Sequence, residues 1–205
     1  MAEELHALEK NQTWELVDLP LNKVAIGCKW IYKIKTQSDG TVERYKARLV
    51  AKGYNQEYGV DYEETFAPVA RLTSVRTLLA IASARHWNLH QMDVKNAFLH
   101  VDLAKEVYIL PPPGVSHAPY QVCRLRHSLY KLKQALRAWF TKFSSTIISL
   151  GFSQSSHDSA LFYRKSPRGI ILLLLYVDDM VITGDDVAGI GVLKSSLGKY
   201  FEMKD

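Results

Sequence analysis

Apolar and polar residues alternate along two neighbouring stretches near the start of the chain, and this alternation predicts a β-hairpin. The first predicted strand is Cys28–Lys35 and the return strand is Val42–Lys52. Ser38-Asp39-Gly40 lies between them. An Asp-Gly pair between two alternating runs is a strong local signal for a hairpin turn.

The two faces of the predicted hairpin differ in charge. Because side chains alternate along a strand, Trp30, Tyr32 and Ile34 share one face of the first strand. Tyr45, Ala47 and Leu49 likewise share one face of the return strand. The opposite face carries Lys29, Lys33, Lys35, Arg44, Lys46, Arg48 and Lys52. Like charges repel one another unless an anion lies across them. A phosphate-binding face and a plain solvated face both fit this pattern.

The sequence predicts helices over Glu3–Lys10, which is polar, and over Ser74–His86, Ser128–Leu150 and Val192–Tyr200. Apolar residues spaced three and four apart mark the second and third of these helices. In the second helix the predicted apolar stripe is Val75, Leu78, Leu79, Ile81 and Ala82. In the third it is Leu129, Leu132, Leu136, Trp139, Phe143, Ile147 and Leu150. We interpret these aromatic residues as core, without a ligand role.

Shorter apolar runs predict additional strands. One ends near Met92-Asp93, one covers Val107–Leu110, and two form a buried hairpin from Ile170–Tyr176 and Met180–Thr183. Helices and strands follow one another without a regular βαβ order. The sequence therefore predicts an α+β fold, a mixed or antiparallel sheet with helices packed on one side.

Composition restricts the classes of function. The net charge is +5 and the pI about 9.1, which favours an acidic partner such as nucleic acid. Cys28 and Cys123 form no CxxC pair, so they are expected to be reduced thiols and zinc is not expected. The polar N-terminus and an apolar run of only Ile170–Leu175 predict neither a secretory signal nor a membrane span. We expect an intracellular protein, cytoplasmic or nuclear, not secreted.

Adjacent carboxylates occupy the turn Tyr176-Val177-Asp178-Asp179, between two buried runs. Aspartate is common at an exposed hairpin tip, and that is the simpler interpretation. However, two carboxylates at roughly 4 Å repel by about 4 kcal/mol at an effective dielectric near 20, which a divalent cation would offset. Oxygen ligands of this kind suit Mg²⁺. Asp93 would join such a site if the fold placed it beside Asp178.

Six blocks follow one another along the chain: Lys29–Lys33, Tyr45–Gly53, Thr65–Val69, Gln91–Phe98, Ser128–Trp139 and Tyr176–Asp179. In their order and spacing they resemble copia-type retrotransposon reverse transcriptases across nearly the whole chain. The resemblance implies a right-hand polymerase, with fingers and a palm whose antiparallel sheet is backed by helices. It implies residues 1–88 mainly as fingers and 89–205 mainly as palm, with 111–130 returning toward the fingers.

The resemblance also implies a role for each site residue. Asp93 and Asp178 would bind Mg²⁺, or Mn²⁺ as an alternative, together with the backbone carbonyl of Val94. Asp179 would be the supporting catalytic carboxylate. Lys46 and Arg48 would hold the triphosphate of the incoming dNTP, and Phe98 would pack beneath its sugar. The partners would be an RNA or DNA template with its primer.

The sequence departs from the family pattern at two positions of the third predicted helix. Relatives read Leu-Tyr-Gly-Leu-Lys-Gln-Ala-Pro-Arg-Ala-Trp, whereas this chain has Lys131 for the glycine and Leu136 for the proline. A lysine side chain at position 131 would obstruct a close approach of nucleotide or template. Leu136 would extend the apolar stripe of the helix.

Relatives continue into a thumb and an RNase H domain, and we expect neither here, nor protease or integrase parts. The leading hypothesis is an RNA-directed DNA polymerase domain that is intact in its metal ligands. The alternative is a catalytically inactive, truncated remnant that at most binds nucleic acid. Asp93, Asp178 and Asp179 favour the first, and Lys131 and the missing thumb favour the second.

Overall fold

The computed structural model describes residues 1–204, which contain both helices and antiparallel sheets and so confirm the α+β class. The helices are α1 (Ala2–Lys10), α2 (Leu72–Ala84), α3 (Ala135–Ser149) and α4 (Val187–Tyr200). The strands are β1 (Trp14–Asp18), β2 (Cys28–Thr36), β3 (Val42–Ala51), β4 (His90–Val94), β5 (Tyr108–Ile109), β6 (Gln121–Leu125), β7 (Ser153–Gln154), β8 (Leu161–Ser166), β9 (Gly169–Tyr176), β10 (Asp179–Gly184) and β11 (Met203–Lys204).

The chain forms two compact units. The first contains Met1–Thr65 and Phe98–Ala138, and the second contains Phe66–Ala97 and the chain from Trp139 onward. These boundaries differ from the predicted division at 88/89, and the segment that returns to the first unit is longer than the predicted 111–130. The assignment of fingers and palm to these units stays a prediction.

The first unit contains the predicted hairpin. Strands β2 and β3 pair in antiparallel register, with Lys33 opposite Lys46. At the tip, the Asp39 carboxylate accepts hydrogen bonds from the backbone N–H and the hydroxyl of Thr41, which fixes the turn before β3 begins. A separate antiparallel sheet has the order β1-β6-β5, and the sequence analysis missed both β1 and β6.

The second unit contains a six-stranded antiparallel sheet in the order β11-β4-β10-β9-β8-β7. The strands β9 and β10 form the predicted buried hairpin, and β4 is the predicted strand at Met92-Asp93. An aromatic cluster belongs to the core of this unit, in which neighbouring ring centroids lie 5.3–6.4 Å apart. Its members are Trp139, Phe140, Phe143, Phe162 and Phe201.

The predicted helix over Ser128–Leu150 is wrong in its first part, because α3 begins only at Ala135. Before it, the Tyr130 carbonyl accepts a hydrogen bond from the Ala51 N–H, and Lys131 has a φ of +67°. A residue in that left-handed region cannot belong to a right-handed helix. Leu136 does not extend a buried stripe either, since 39% of its surface is exposed.

Two other helices differ from their predictions, α2 in burial and α4 in its first residue. The apolar stripe predicted for α2 is only partly buried, since Leu78 and Ala82 are buried whereas Leu79 and Ile81 are exposed. Helix α4 begins at Val187 instead of Val192. The Asp186 carboxylate caps it by accepting a hydrogen bond from the Gly189 N–H at 2.9 Å, which satisfies one of the free donors of the first turn.

Within residues 1–204, none of the helices combines the length and the apolar character that crossing a membrane requires.

Candidate functional site

Asp93 and Asp179 lie directly opposite each other on neighbouring strands of the second unit. Strand β4 pairs with β10 in antiparallel register, Asp93 opposite Asp179 and Met92 opposite Met180. Residues directly opposite share a face of the sheet, and successive residues alternate between faces. The two methionines are buried, whereas Asp93 is half-buried and Asp179 exposed. The two carboxylates therefore share the more open face.

Asp178 is in the turn that joins β9 to β10. Tyr176 pairs with Asp179, so Val177 and Asp178 form a two-residue loop. The Asp178 carbonyl oxygen accepts a hydrogen bond from the Val94 N–H at 2.9 Å. Thus the backbone of Asp178 lies beside the residue that follows Asp93. The structure brings the four predicted residues of this site to neighbouring backbone positions.

The donor set is suited to a hard cation, because carboxylate and carbonyl oxygens are the ligands that Mg²⁺ prefers. Across residues 1–204, no group of three Asp, Glu, His or Cys side chains converges into a closed metal cage. A Mg²⁺ ion that also contacts substrate phosphates typically uses only one or two carboxylates and keeps several waters. Asp93 and Asp178 fit that arrangement. Which residues bind metal stays a prediction.

The backbone of the aspartate turn, Tyr176–Asp179, is strained at Val177, which has a φ of +60°. This first loop position favours glycine, and a positive φ is a true outlier for a β-branched residue. The Val177 carbonyl oxygen accepts a hydrogen bond from the Trp139 indole N–H at 2.7 Å. The turn is thus held in a conformation that its own sequence disfavours.

The first unit contains a cavity of about 260 Å³ on the basic face of the hairpin. It is lined by Lys33, Lys35, Lys46, Arg48, Tyr130 and Lys131, with Ile31 and Val50. The lining contains no acidic side chain among the residues that the structure describes. The Arg48 guanidinium lies over the Tyr130 ring, 4.5 Å from its centroid, in a cation–π contact that orients it. The cavity therefore concentrates oriented positive charge, as an anion site requires.

The pKa of Lys46 is lowered by its surroundings in this cavity. Burial lowers the pKa of its ammonium, and the neighbouring charges of Arg48, Arg44 and Lys35 lower it further. Glu4 acts in the opposite direction on Lys46. A bound anion would relieve the repulsion among these cations, which is the physical reason to place a phosphate group in the cavity.

Phe98 is buried, with only 6% of its surface exposed. Its ring makes an edge-to-face contact with Tyr130, with the centroids 4.9 Å apart. Phe98 thus supports the residue on which Arg48 stacks. Its predicted packing beneath a nucleotide sugar stays a prediction.

Comparison with known proteins gives the family. The profile of the family described as reverse transcriptase (RNA-dependent DNA polymerase) matches residues 11–205. The chain belongs to this reverse transcriptase family. It is 45% identical over its full length to the retrovirus-related Pol polyprotein from transposon TNT 1-94 of Nicotiana tabacum, of which it covers 16%. It is 46% identical over its full length to that from transposon RE2 of Arabidopsis thaliana, covering 14%. The resemblance to copia-type retrotransposons is confirmed.

This member of the reverse transcriptase family spans about one-sixth of the length of those curated relatives. The aligned region is the whole chain, so it includes the aspartate turn, β4 and the basic hairpin.

Sequence reasoning missed two residues in this reverse transcriptase domain, one at the aspartate turn and one in the basic cavity. Trp139 was assigned to the core alone, yet its N–H binds the aspartate turn. Buried tryptophan usually finds a hydrogen-bond partner, and that was the available signal. Tyr130 was assigned no role, because its position against Arg48 depends on a tertiary contact between β3 and the segment before α3.

Proposed function

We propose that this chain is the fingers-and-palm part of a copia-type reverse transcriptase that transfers a nucleotide from a dNTP to a primer 3′-hydroxyl. In this proposal the second unit is the palm and the hairpin β2–β3 belongs to the fingers. The observation that carries the proposal is the register that sets Asp93 opposite Asp179, with Asp178 in the adjoining turn. Family membership supports the same reaction class.

Asp93 and Asp178, with the Val94 carbonyl, would hold Mg²⁺ or Mn²⁺. When bound, such an ion supplies Lewis-acid chemistry, lowering the pKa of a primer hydroxyl and balancing negative charge on the leaving pyrophosphate. Asp179, opposite Asp93, keeps the local field negative and so favours a cation. The fixed backbone of the turn limits where the Asp178 carboxylate can lie.

Lys46 and Arg48 would bind the triphosphate of the dNTP. Arg48 is oriented by Tyr130, and a planar guanidinium makes paired hydrogen bonds to phosphate oxygens. Lys46 contributes a point charge whose repulsion from its neighbours is relieved by the anion. The remaining basic residues of the hairpin would contact template phosphates, which makes binding of nucleic acid dependent on salt.

Primer extension on an RNA template with Mg²⁺ tests the proposal. The native chain should extend the primer, and Asp178→Asn should reduce kcat by at least about 100-fold, since a positioned charge is lost from the reacting centre. Asp18→Asn, at an exposed strand end, is the matched control and should extend normally. Extension that survives Asp178→Asn would refute the assigned site.

The inactive remnant is the second candidate, and Lys131 is the observation that favours it, since its side chain lines the basic cavity. A chain repaired with Lys131→Gly and Leu136→Pro distinguishes the two. Extension by the repaired chain alone would assign the defect to those substitutions. Absence of extension in both chains would favour a protein that binds nucleic acid without copying it.

A further inference from the structure

The aspartate turn is held at both of its loop carbonyls. The Val177 oxygen accepts the Trp139 indole N–H at 2.7 Å, and the Asp178 oxygen accepts the Val94 N–H at 2.9 Å. A hairpin loop of two residues normally keeps its carbonyls free for water. Here both have protein donors, so rotation of either loop peptide would break a specific hydrogen bond.

Val177 needs such support. With a φ of +60°, it occupies a conformation that costs a residue with a Cβ about 1–2 kcal/mol. Conformations of this kind persist only where surrounding contacts enforce them, and they concentrate at functional sites. The Trp139 hydrogen bond acts on the strained residue itself.

Trp139 is a fixed donor. Only 1% of its surface is exposed, and its ring packs against Phe143 and Phe201 with centroids 5.5 and 5.3 Å away. A ring enclosed in this way cannot swing to another acceptor without disturbing the cluster. The position of the indole N–H is therefore set by the core of the second unit, and the turn is attached to that core.

We propose that Trp139 is a positioning residue for the aspartate turn, which fixes the Asp178 carboxylate by holding the carbonyl of Val177. It acts through Val177 and contacts no substrate. The catalytic part of this inference rests on the proposed function. The mechanical part, that removal of one N–H loosens the turn, does not.

Hydrogen exchange measures the mechanical part. The Val94 amide donates to the Asp178 carbonyl, so its exchange rate reports opening of the turn. The Ile190 amide of α4, which donates to the Asp186 carbonyl, is the reference within the same unit. In Trp139→Phe, which keeps an aromatic ring but loses the N–H, Val94 exchange should rise about tenfold relative to Ile190, since the half-buried Val177 carbonyl loses its donor.

Phe162→Leu is the matched control. Phe162 belongs to the same cluster through its contacts with Phe140 and Phe143, but it contributes no hydrogen bond to the turn. If it destabilises the unit as a whole, Val94 and Ile190 exchange should accelerate together. If Trp139→Phe folds poorly, Trp139→benzothienylalanine replaces it, since this side chain has the shape of tryptophan but lacks the N–H. It distinguishes loss of the hydrogen bond to Val177 from loss of packing. An unchanged ratio of Val94 to Ile190 exchange in the benzothienylalanine variant would overturn the inference.

Steady-state primer extension measures the catalytic part. Trp139→Phe should lower kcat about tenfold or more, because small displacements of a catalytic group are costly, with the KM for dNTP within about twofold. Phe162→Leu should leave kcat per folded molecule unchanged. A rise in KM without a fall in kcat would contradict a positioning role. If the unaltered chain does not extend primers, the proposed function fails, and the exchange ratio still decides whether Trp139 holds the turn.

Discussion

The Gly53 Cα lies so close to the carbonyl oxygen of Lys131 that a Cβ at position 53 would overlap that oxygen. Gly53 lies two residues after the end of β3, and Lys131 belongs to the segment that lines the basic cavity. The absence of a side chain at Gly53 is therefore what lets the two backbones approach. Gly53 does not have the positive φ that often requires a glycine. The close approach of the Lys131 carbonyl is what requires a glycine at this position.

Gly53→Ala should destabilise the protein by about 1–3 kcal/mol, since the new methyl group meets backbone and one segment must move. Gly198→Ala is the control, because its Cβ would enter open space within α4. It should stabilise the protein by about 0.5–1 kcal/mol, as alanine favours a helix interior over glycine. Urea unfolding of both variants checks the two signs. Similar small effects at both positions would contradict the contact.

Lys131→Gly should stabilise the folded chain by about 1 kcal/mol. Lys131 has a φ of +67°, where a Cβ is unfavourable and glycine is not, and this gain exceeds the added entropy of the unfolded glycine. Lys165→Gly, within strand β8, should instead destabilise by about 0.5–1 kcal/mol. Thermal and urea unfolding give the comparison. Loss of stability in Lys131→Gly would mean that the lysine side chain makes a compensating contact in the cavity.

Local patterns predicted the parts of the fold whose causes are local. The hairpin β2–β3 has alternating residues and an Asp-Gly turn within a few residues of one another, and both strands were predicted to within one residue. The start of α3 was missed because its cause is distant in sequence. The backbone of Tyr130 binds the end of β3, and Lys131 then adopts a positive φ.

The same contrast between local and distant causes applies to the residues of the candidate site. Asp178 and Asp179 could be selected because two charges sit between buried runs, but no local pattern places Asp93 opposite them. That pairing of β4 with β10 joins residues more than eighty positions apart and was expected only from the resemblance. The hydrogen bond from Trp139 to Val177 could not be predicted, since it depends on how α3 packs.

Asp186 should make stability depend on pH in the acid range. The Gly189 N–H and the Ser166 hydroxyl donate to its carboxylate and hold its pKa below the ordinary value of 3.8. A carboxyl whose pKa is lower when folded contributes stability above pH 3.8, and that contribution is lost as the pH falls below 3.8 through the folded pKa. Asp186→Asn should reduce this loss between pH 6 and pH 3 in urea unfolding. Asp18→Asn, at an exposed position, should not change it.

Lys46 should make anion binding depend on pH in the alkaline range. Its pKa lies below the ordinary 10.5 because of burial and the adjacent cations, and a bound anion favours the protonated form. Affinity for tripolyphosphate should therefore fall as the pH rises through the lowered pKa of free Lys46. Lys46→Arg, which stays charged, should keep its affinity at a pH where the native chain has lost it. The ligand changes its own protonation equally in both experiments, so calorimetry at matched pH isolates the contribution of the lysine.

Lys29→Ala is the control, because Lys29 lies on the same strand face but outside the cavity. This variant should retain the pH dependence of the native chain. Identical profiles for the native chain and Lys46→Arg would show that Lys46 does not contact the anion.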